Sequence, residues 1–355
     1  MSLDHSKVLI AEVDGARTNN TGSLSRRQAL KIGALGTGLV AGFGRSRPVS
    51  AADTITLRIG SDSPIGAPHT VSAVKLKEEV ERQTGGRIKV VIFPDSQLGS
   101  NEAMSNSVKA GTLDAVVTDV AVMSAAVPQA DVFNLPFLFA DTGHALRAAN
   151  GALGAQLKPG FEKAFSCEVL GWATDGARNM WDGKRPIRTP DDLKGLKMRV
   201  QPSKIQRDTY EAFGAIPTPI AFSEVYTALQ TGVVDGADHA PVDMLELKMY
   251  QVTKYLTLTR HFSIIGVLIV GQKFMNKLTD ADKEIVRAAG KAAADAQVTA
   301  VLGAEKDALA TLQAKGIKIF DMADPKAFVE KVQPVYKNNE ARVSAELIKL
   351  ARETT

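Results

Sequence analysis

The sequence predicts an α/β protein of two domains, each built on a mostly parallel sheet flanked by helices. Three observations predict it. From Asp53 onward, strand-like and helix-like segments alternate through short links in the order β-α-β-α-β, which generates a parallel sheet covered on both faces. A second series of the same kind begins near Trp172. The chain of 355 residues is long enough for two domains of ordinary size, and 45% apolar with 23% charged residues is a globular composition.

The elements follow in order. "TITLRIG" reads as a strand, and "PHTVSAVKLKEEVERQTGG" as an amphipathic helix with Pro68 near its start and Gly85–Gly86 at its end. "RIKVVIF" is the next strand, "SNEAMSNSVKAG" a helix capped by Ser100 and closed by Gly111, and "LDAVVTD" a buried strand. Ligands of such sheets bind beyond the carboxyl ends of the strands. That rule puts Asp62, just after the first strand, and Asp119, at the end of the third, on one rim.

In the second series, "CEVLGWATDGARNMWDG" reads as two short strands joined by a glycine-containing bend, which sets Arg178 at a strand's start. "TPDDLKG" is a brief helix, "LKMRV" a strand, "SKIQRDTYEAFG" a helix and "AIPTPI" a strand broken by prolines. "FSEVYTALQTG" reads as a helix with Ser223 as N-cap and Gly232 at its end, and "VVDGA" as one more buried strand. "KYLTLTRHFSIIGVLIVG" is too long for one ordinary strand and reads as a crossing between domains. The proline-free helical run from Leu278 to about Lys315 is long enough to lie along both.

The amino-terminal segment has a different character. Residues 1–51 carry seven basic and three acidic groups, which is the whole of the formal charge of +4 and leaves the body neutral. A neutral body gives no basis for nucleic-acid binding. Arg26–Arg27 precede a Gly- and Ala-rich apolar stretch from Ala29 to Gly44, and "VSAA" supplies small residues for cleavage after Ala51 or Ala52. The segment therefore reads as a twin-arginine-type signal peptide over residues 1–51, too short and too mildly hydrophobic for a membrane span. "GALGTGLVAG" within it mimics a dinucleotide loop but lacks a preceding strand and a later acidic partner. The single cysteine, Cys167, excludes an intramolecular disulfide and any multi-cysteine metal site.

In "GLKMRV", Leu196, Met198 and Val200 alternate with Lys197 and Arg199, the pattern of a half-buried strand. Arg199 therefore either faces water or waits for an anion in a cleft. If its strand neighbours that of Arg178, two guanidinium groups converge there, opposite Asp62 and Asp119.

"RPIRTPDDLKGLKMRV", "GAIPTPIAFSEVYTALQTGVVDGADHAP", "MYQVTKYLTLTRH", "FPDSQLGSNEAMSNSVKAGTLDA" and "FNLPFLF" together resemble the solute-binding proteins of tripartite ATP-independent periplasmic (TRAP) transporters, the DctP-like family. The resemblance spans nearly everything after the leader. It implies a two-domain periplasmic binding protein-like fold, with strand hinges and a long domain-bridging helix. The domains implied are residues 53–175 plus 265–304, and residues 176–264 plus 305–355. It also implies a periplasmic protein that captures a small carboxylate and delivers it to the small and large membrane subunits of a permease; a monomer without cofactor or metal is expected.

By position, Arg199 matches the arginine that grips the ligand carboxylate in this family, and Arg178 a second arginine near it. Asp62 and Asp119 match pocket positions on the first domain, and Phe222 an apolar wall that Trp172 would extend. Asp238 and His239 lie in "ADH", where relatives commonly carry "xEN", and "RVQP" departs from the commoner "RVP". The acidic residues favour a hydroxylated or sugar acid, since carboxylates accept hydrogen bonds from hydroxyls. A guanidinium offers a fixed planar fork for a carboxylate. In a micromolar complex of about 8 kcal/mol, truncating such an anchor costs about 2–5 kcal/mol.

Two competing readings are a hydrolase or isomerase with Asp119 or His239 as base, and a ligand-sensing subunit. The first lacks a nucleophile elbow and a paired His and Cys. Asp235, His239 and Asp243 sketch a metal site, but a turn followed by a helix start explains them more simply.

Overall fold

The computed structural model describes residues 54–354, and the expected signal peptide lies outside them. The strands are β1 (Ile55–Gly60), β2 (Ile88–Phe93), β3 (Ala115–Asp119), β4 (Cys167–Asp182), β5 (Lys197–Val200), β6 (Ile216–Pro219), β7 (Gly236–His239), β8 (Tyr255–Gly271) and β9 (Lys318–Asp321). They form one sheet in the order β2-β1-β3-β8-β4-β7-β5-β6, with β9 also paired to β8. Five of its eight pairings are parallel; the antiparallel ones are β3–β8, β4–β8 and β4–β7.

The two long central strands make the architecture two-lobed. Residues 266–270 of β8 pair with β3 in the first lobe, while residues 255–258 pair with β9 in the second. β4 likewise pairs with β7 only through residues 179–182. Between these halves the β4–β8 ladder shifts register at Thr174/Gly176 and again at Arg178/Met180. Gly176 has φ +100°, a conformation side chains other than hydrogen rarely adopt. Such irregularities bend and twist a ladder locally, and these fall where the chain passes between lobes.

The helix Asp280–Ala314 spans both lobes. Val286, Ala289 and Ala293 join the apolar core with Leu57 and Ile59 of β1, whereas Leu312 packs with Trp181 and Leu256 of the second lobe. Thr279 caps the helix by accepting from the Asp282 amide. A third core covers the opposite face and includes Phe133, Phe161, Met198 and Phe328. The final helix, Ala345–Glu353, packs against the helices Thr142–Asn150 and Ala152–Phe165.

Three local expectations need correction. "CEVLGWATDGARNMWDG" forms one strand, because bulges absorb the bend that Gly176 signalled; Arg178 is therefore inside β4, not at a strand's start. Ser223 is not a helix cap. It sits within a 3-10 turn, Phe222–Glu224, whose Glu224 amide bonds to Ala221 O, and the α-helix begins only at Val225. β5 and β4 are not neighbours, since β7 lies between them.

The long helix seats closely on β4. A Cβ at Gly171 would come within 2.7 Å of Ala294 Cβ and 3.3 Å of Gly290 O. Gly171→Val is therefore expected to destabilise the protein by about 1–3 kcal/mol through overpacking, read as a lower urea midpoint. An unchanged midpoint would show that this contact is not tight.

Candidate functional site

The site grows from three strand ends and one helix start. Asp62 follows β1. Its Oδ1 accepts from Ser63 Oγ at 3.0 Å and faces His69 Nδ1 at 3.1 Å, while its Oδ2 accepts from Asn101 Nδ2 at 2.5 Å. Pro68 starts the helix Pro68–Gln83, so His69 falls in the first turn. Its Nε2 lies 2.7 Å from Asp175 Oδ2 and 3.3 Å from Asp119 Oδ1. Asp175 Oδ1 in turn accepts from Gln297 Nε2 of the long helix at 2.7 Å.

Burial opposes charge on His69. The Asp175 charge and the close carboxylates of Asp119 and Asp62 outweigh it, holding the imidazole well above its ordinary pKa. Burial likewise works against the Asp119 carboxylate, but His69, with His239 and Arg178 farther off, keeps it well below its usual value. Burial wins at Asp175, whose carboxyl is pushed up. His69, Asp119 and Asp175 are the one group of three potential metal ligands among the described residues. The 2.7 Å contact is an ion-pair distance but is not aligned as a hydrogen bond, so Nε2 stands close to both carboxylates without being spent on either.

The second lobe holds two buried arginines. Arg178 Nε and Nη2 lie 3.1 and 3.0 Å from Asp238 Oδ1. Nη2 also donates to Asp238 O at 2.9 Å, and Nη1 to Gln201 Oε1 at 3.3 Å. Asp238 Oδ2 accepts from Tyr210 Oη at 3.0 Å and contacts His261 Nε2 at 2.9 Å. Against the penalty of burial, Arg178 and His261 hold the Asp238 carboxylate well below its usual pKa. Arg178 thus has a carboxylate partner in its own lobe.

Among the described residues Arg199 has none. It is 1% exposed, and its side chain makes one hydrogen bond among them, from Nε to Ile220 O at 2.9 Å. Its guanidinium lies 5.8 Å from the Phe222 ring centroid, within cation–π range. Burial, and then the positive charge of Arg178, push its pKa down to about 10. Its group borders a cavity of about 60 Å³ whose walls also include Asp62, Asn101 and Val122 from the first lobe, with Gln201, Phe222 and Ser223 from the second. One wall is cationic and apolar; the opposite wall is a hydrogen-bonded carboxylate.

Of the residues singled out in the sequence, Arg199, Asp62 and Phe222 meet at this cavity. Asp119, Arg178 and Asp238 lie behind it, joined through Gln201. His239 packs 4.9 Å from the Phe222 ring and bonds Asp243 at 2.8 Å. Trp172 is elsewhere, its ring against Phe133 and Phe161 in the core. His69, Asp175, Gln201, Tyr210 and His261 were missed; most of their contacts join distant segments, as 82 residues separate Asp119 from Gln201. For Gln201 the unusual "RVQP" was the available signal.

The profile of "Bacterial extracellular solute-binding protein, family 7" matches residues 60–342. A solute-binding protein of Verminephrobacter eiseniae is 34% identical over 287 residues, covering 81% of this chain and 85% of that protein. Among solved structures, a TRAP periplasmic solute-binding protein from Polaromonas sp. JS666, bound to D-erythronate, superposes with TM-score 0.82. It is 35% identical and the match covers 85% of this chain and 99% of that one. A TRAP periplasmic solute-binding protein from Sulfitobacter sp. NAS-14.1, with bound β-D-galacturonate, gives TM-score 0.80 and 31% identity, covering 84% and 99%.

Removing Asp238 leaves the Arg178 charge buried alone. Asp238→Asn is expected to cost about 3–5 kcal/mol at neutral pH. Because the folded pKa of Asp238 is depressed, its contribution is complete above the unfolded value near 3.9 and is lost as pH falls below it. Melting temperature measured against pH should therefore fall less steeply in the variant than in the wild type on acidification through about pH 4. Equal slopes would contradict this.

Proposed function

The chain belongs to family 7 of the bacterial extracellular solute-binding proteins, and from that premise we propose that it captures a small hydroxylated organic acid, of the sugar-acid class, between its two lobes and delivers it to a TRAP membrane permease. Solute-binding proteins of this kind are periplasmic receptors, not enzymes. The observation that carries the ligand reading is the buried Arg199 guanidinium, which has no carboxylate partner of its own among the described residues and borders an inter-lobe cavity. A ligand carboxylate would supply the missing anion, and its hydroxyls would donate to Asp62 across the cavity. Phe222 would cover the carbon chain.

The ligands of two similar structures, D-erythronate and β-D-galacturonate, support this class, since each combines one carboxylate with several hydroxyls. We assign Arg178, Asp119, Asp238 and His239 to the support of the pocket, behind the groups that touch the ligand. Export by the twin-arginine route fits Arg26–Arg27 and the small residues before Asp53. The domain boundaries we favour fall near residues 175 and 265, where the β4–β8 ladder is irregular. The protein is read as a monomer.

A thermal-shift panel tests the class. Hydroxylated acids such as D-erythronate and galacturonate are expected to raise the melting temperature, as any ligand selective for the folded state does. Unsubstituted fatty acids and neutral sugars should not. Calorimetry with the best acid should show Arg199→Ala binding at least about tenfold more weakly. Unchanged affinity in that variant would remove Arg199 from the site.

A further inference from the structure

We propose that Gln201 is a positioning residue that latches the two lobes together. This rests on the reading of the protein as a two-lobed binding protein. Gln201 follows β5 and stands two positions from Arg199, so both side chains leave the extended chain on the same side. It is buried and lines the same cavity.

Its amide is held by two groups of its own lobe. Oε1 accepts from Arg178 Nη1 at 3.3 Å and from Gln206 Nε2 at 2.8 Å. The Gln201 backbone amide donates to Gln206 Oε1 at 3.1 Å, closing a ring with a helix that Ser203 caps. Nε2 then donates across the cleft to Asp119 Oδ2 at 2.6 Å. The orientation of the amide follows from chemistry: its oxygen faces two N–H donors and its nitrogen faces a carboxylate.

This bond ties β5, which carries the unpaired arginine, to the end of β3 on the opposite lobe. Opening the lobes breaks it, and would leave both Asp119 and Gln201 to water. The second N–H of the amide is unspent among the described bonds, and Gln201 borders the cavity, so that hydrogen is available to a ligand oxygen beside Arg199. A ligand held there and the Asp119 bond then favour the same closed form, and each strengthens the other.

The latch needs a donor on one lobe and an acceptor on the other. Gln201→Glu keeps the acceptor for Arg178 but sets a carboxylate against Asp119. The double variant Asp119→Asn with Gln201→Glu exchanges the roles, since the amide introduced at position 119 would donate to the carboxylate introduced at position 201. A side chain that matters only for folding of its own lobe gains nothing from this exchange.

Spin labels at the exposed positions Glu78 (first lobe) and Thr231 (second lobe), introduced as Glu78→Cys and Thr231→Cys, report the inter-lobe distance by electron-electron resonance; Cys167 is buried. In the ligand-free full chain, Gln201→Glu is expected to lower the closed fraction about fivefold or more, and the double variant to restore it. Closure is compared without ligand, because a carboxylate at position 201 also competes with a ligand carboxylate for Arg199. Equal distance distributions in all three proteins, or failure of the double variant to restore closure, would overturn the proposal. If the distances follow the expected pattern while the wild type binds no acid, the latch stands and the ligand reading falls.

Discussion

The arrangement turns on one buried positive charge without a negative partner among the described residues. A guanidinium taken out of water loses strong hydration, and the loss is normally offset by a carboxylate at contact distance. Arg178 has that compensation in Asp238, which is itself held by Tyr210 and His261. Arg199, equally buried, has a single backbone carbonyl and an aromatic face, and its pKa falls as a result. A structure that keeps such a group inside is biased toward accepting an anion. It is also selective: a neutral molecule in the same cavity would leave the charge uncompensated.

The sheet explains why only one arginine is left over. β7 runs between β4 and β5, so Asp238 at its penultimate position neutralises Arg178. Arg199, on the far side of β7, is beyond contact range of that carboxylate and feels it only as a distant charge. On the opposite lobe the His69 ring stands among Asp62, Asp119 and Asp175. The first lobe therefore holds more buried carboxylate than its one imidazole offsets, and the second holds one buried guanidinium without a carboxylate among the described residues.

Much of the fold was legible because it rests on local pattern. The β-α-β order, the caps at Ser100 and Gly111, the long strand ending at Gly271 and the helix ending at Ala314 all follow from periodicity and turn chemistry. The errors arose where tertiary packing overrode a local cue: bulges carried β4 through a glycine, and a 3-10 turn preceded Val225. Alternation in β5 left Arg199 undecided, since both faces of that strand are covered and period-2 reading cannot separate water from a cleft. Family resemblance placed it at the ligand. Asp175 and Gln297 touch across 122 residues, a pairing no spacing rule announces.

The two long strands carry the chain from one lobe to the other. Irregular register between Thr174 and Met180 provides bending without breaking the ladder, and the long helix keeps both lobes in one molecule. The most direct test of the unpaired arginine is a crystal structure of the protein grown with D-erythronate. The ligand carboxylate is expected on the Arg199 fork, with two N–H···O contacts of about 2.7–2.9 Å and a hydroxyl turned to Asp62. A carboxylate bound away from Arg199, with that guanidinium still unpaired, would contradict it.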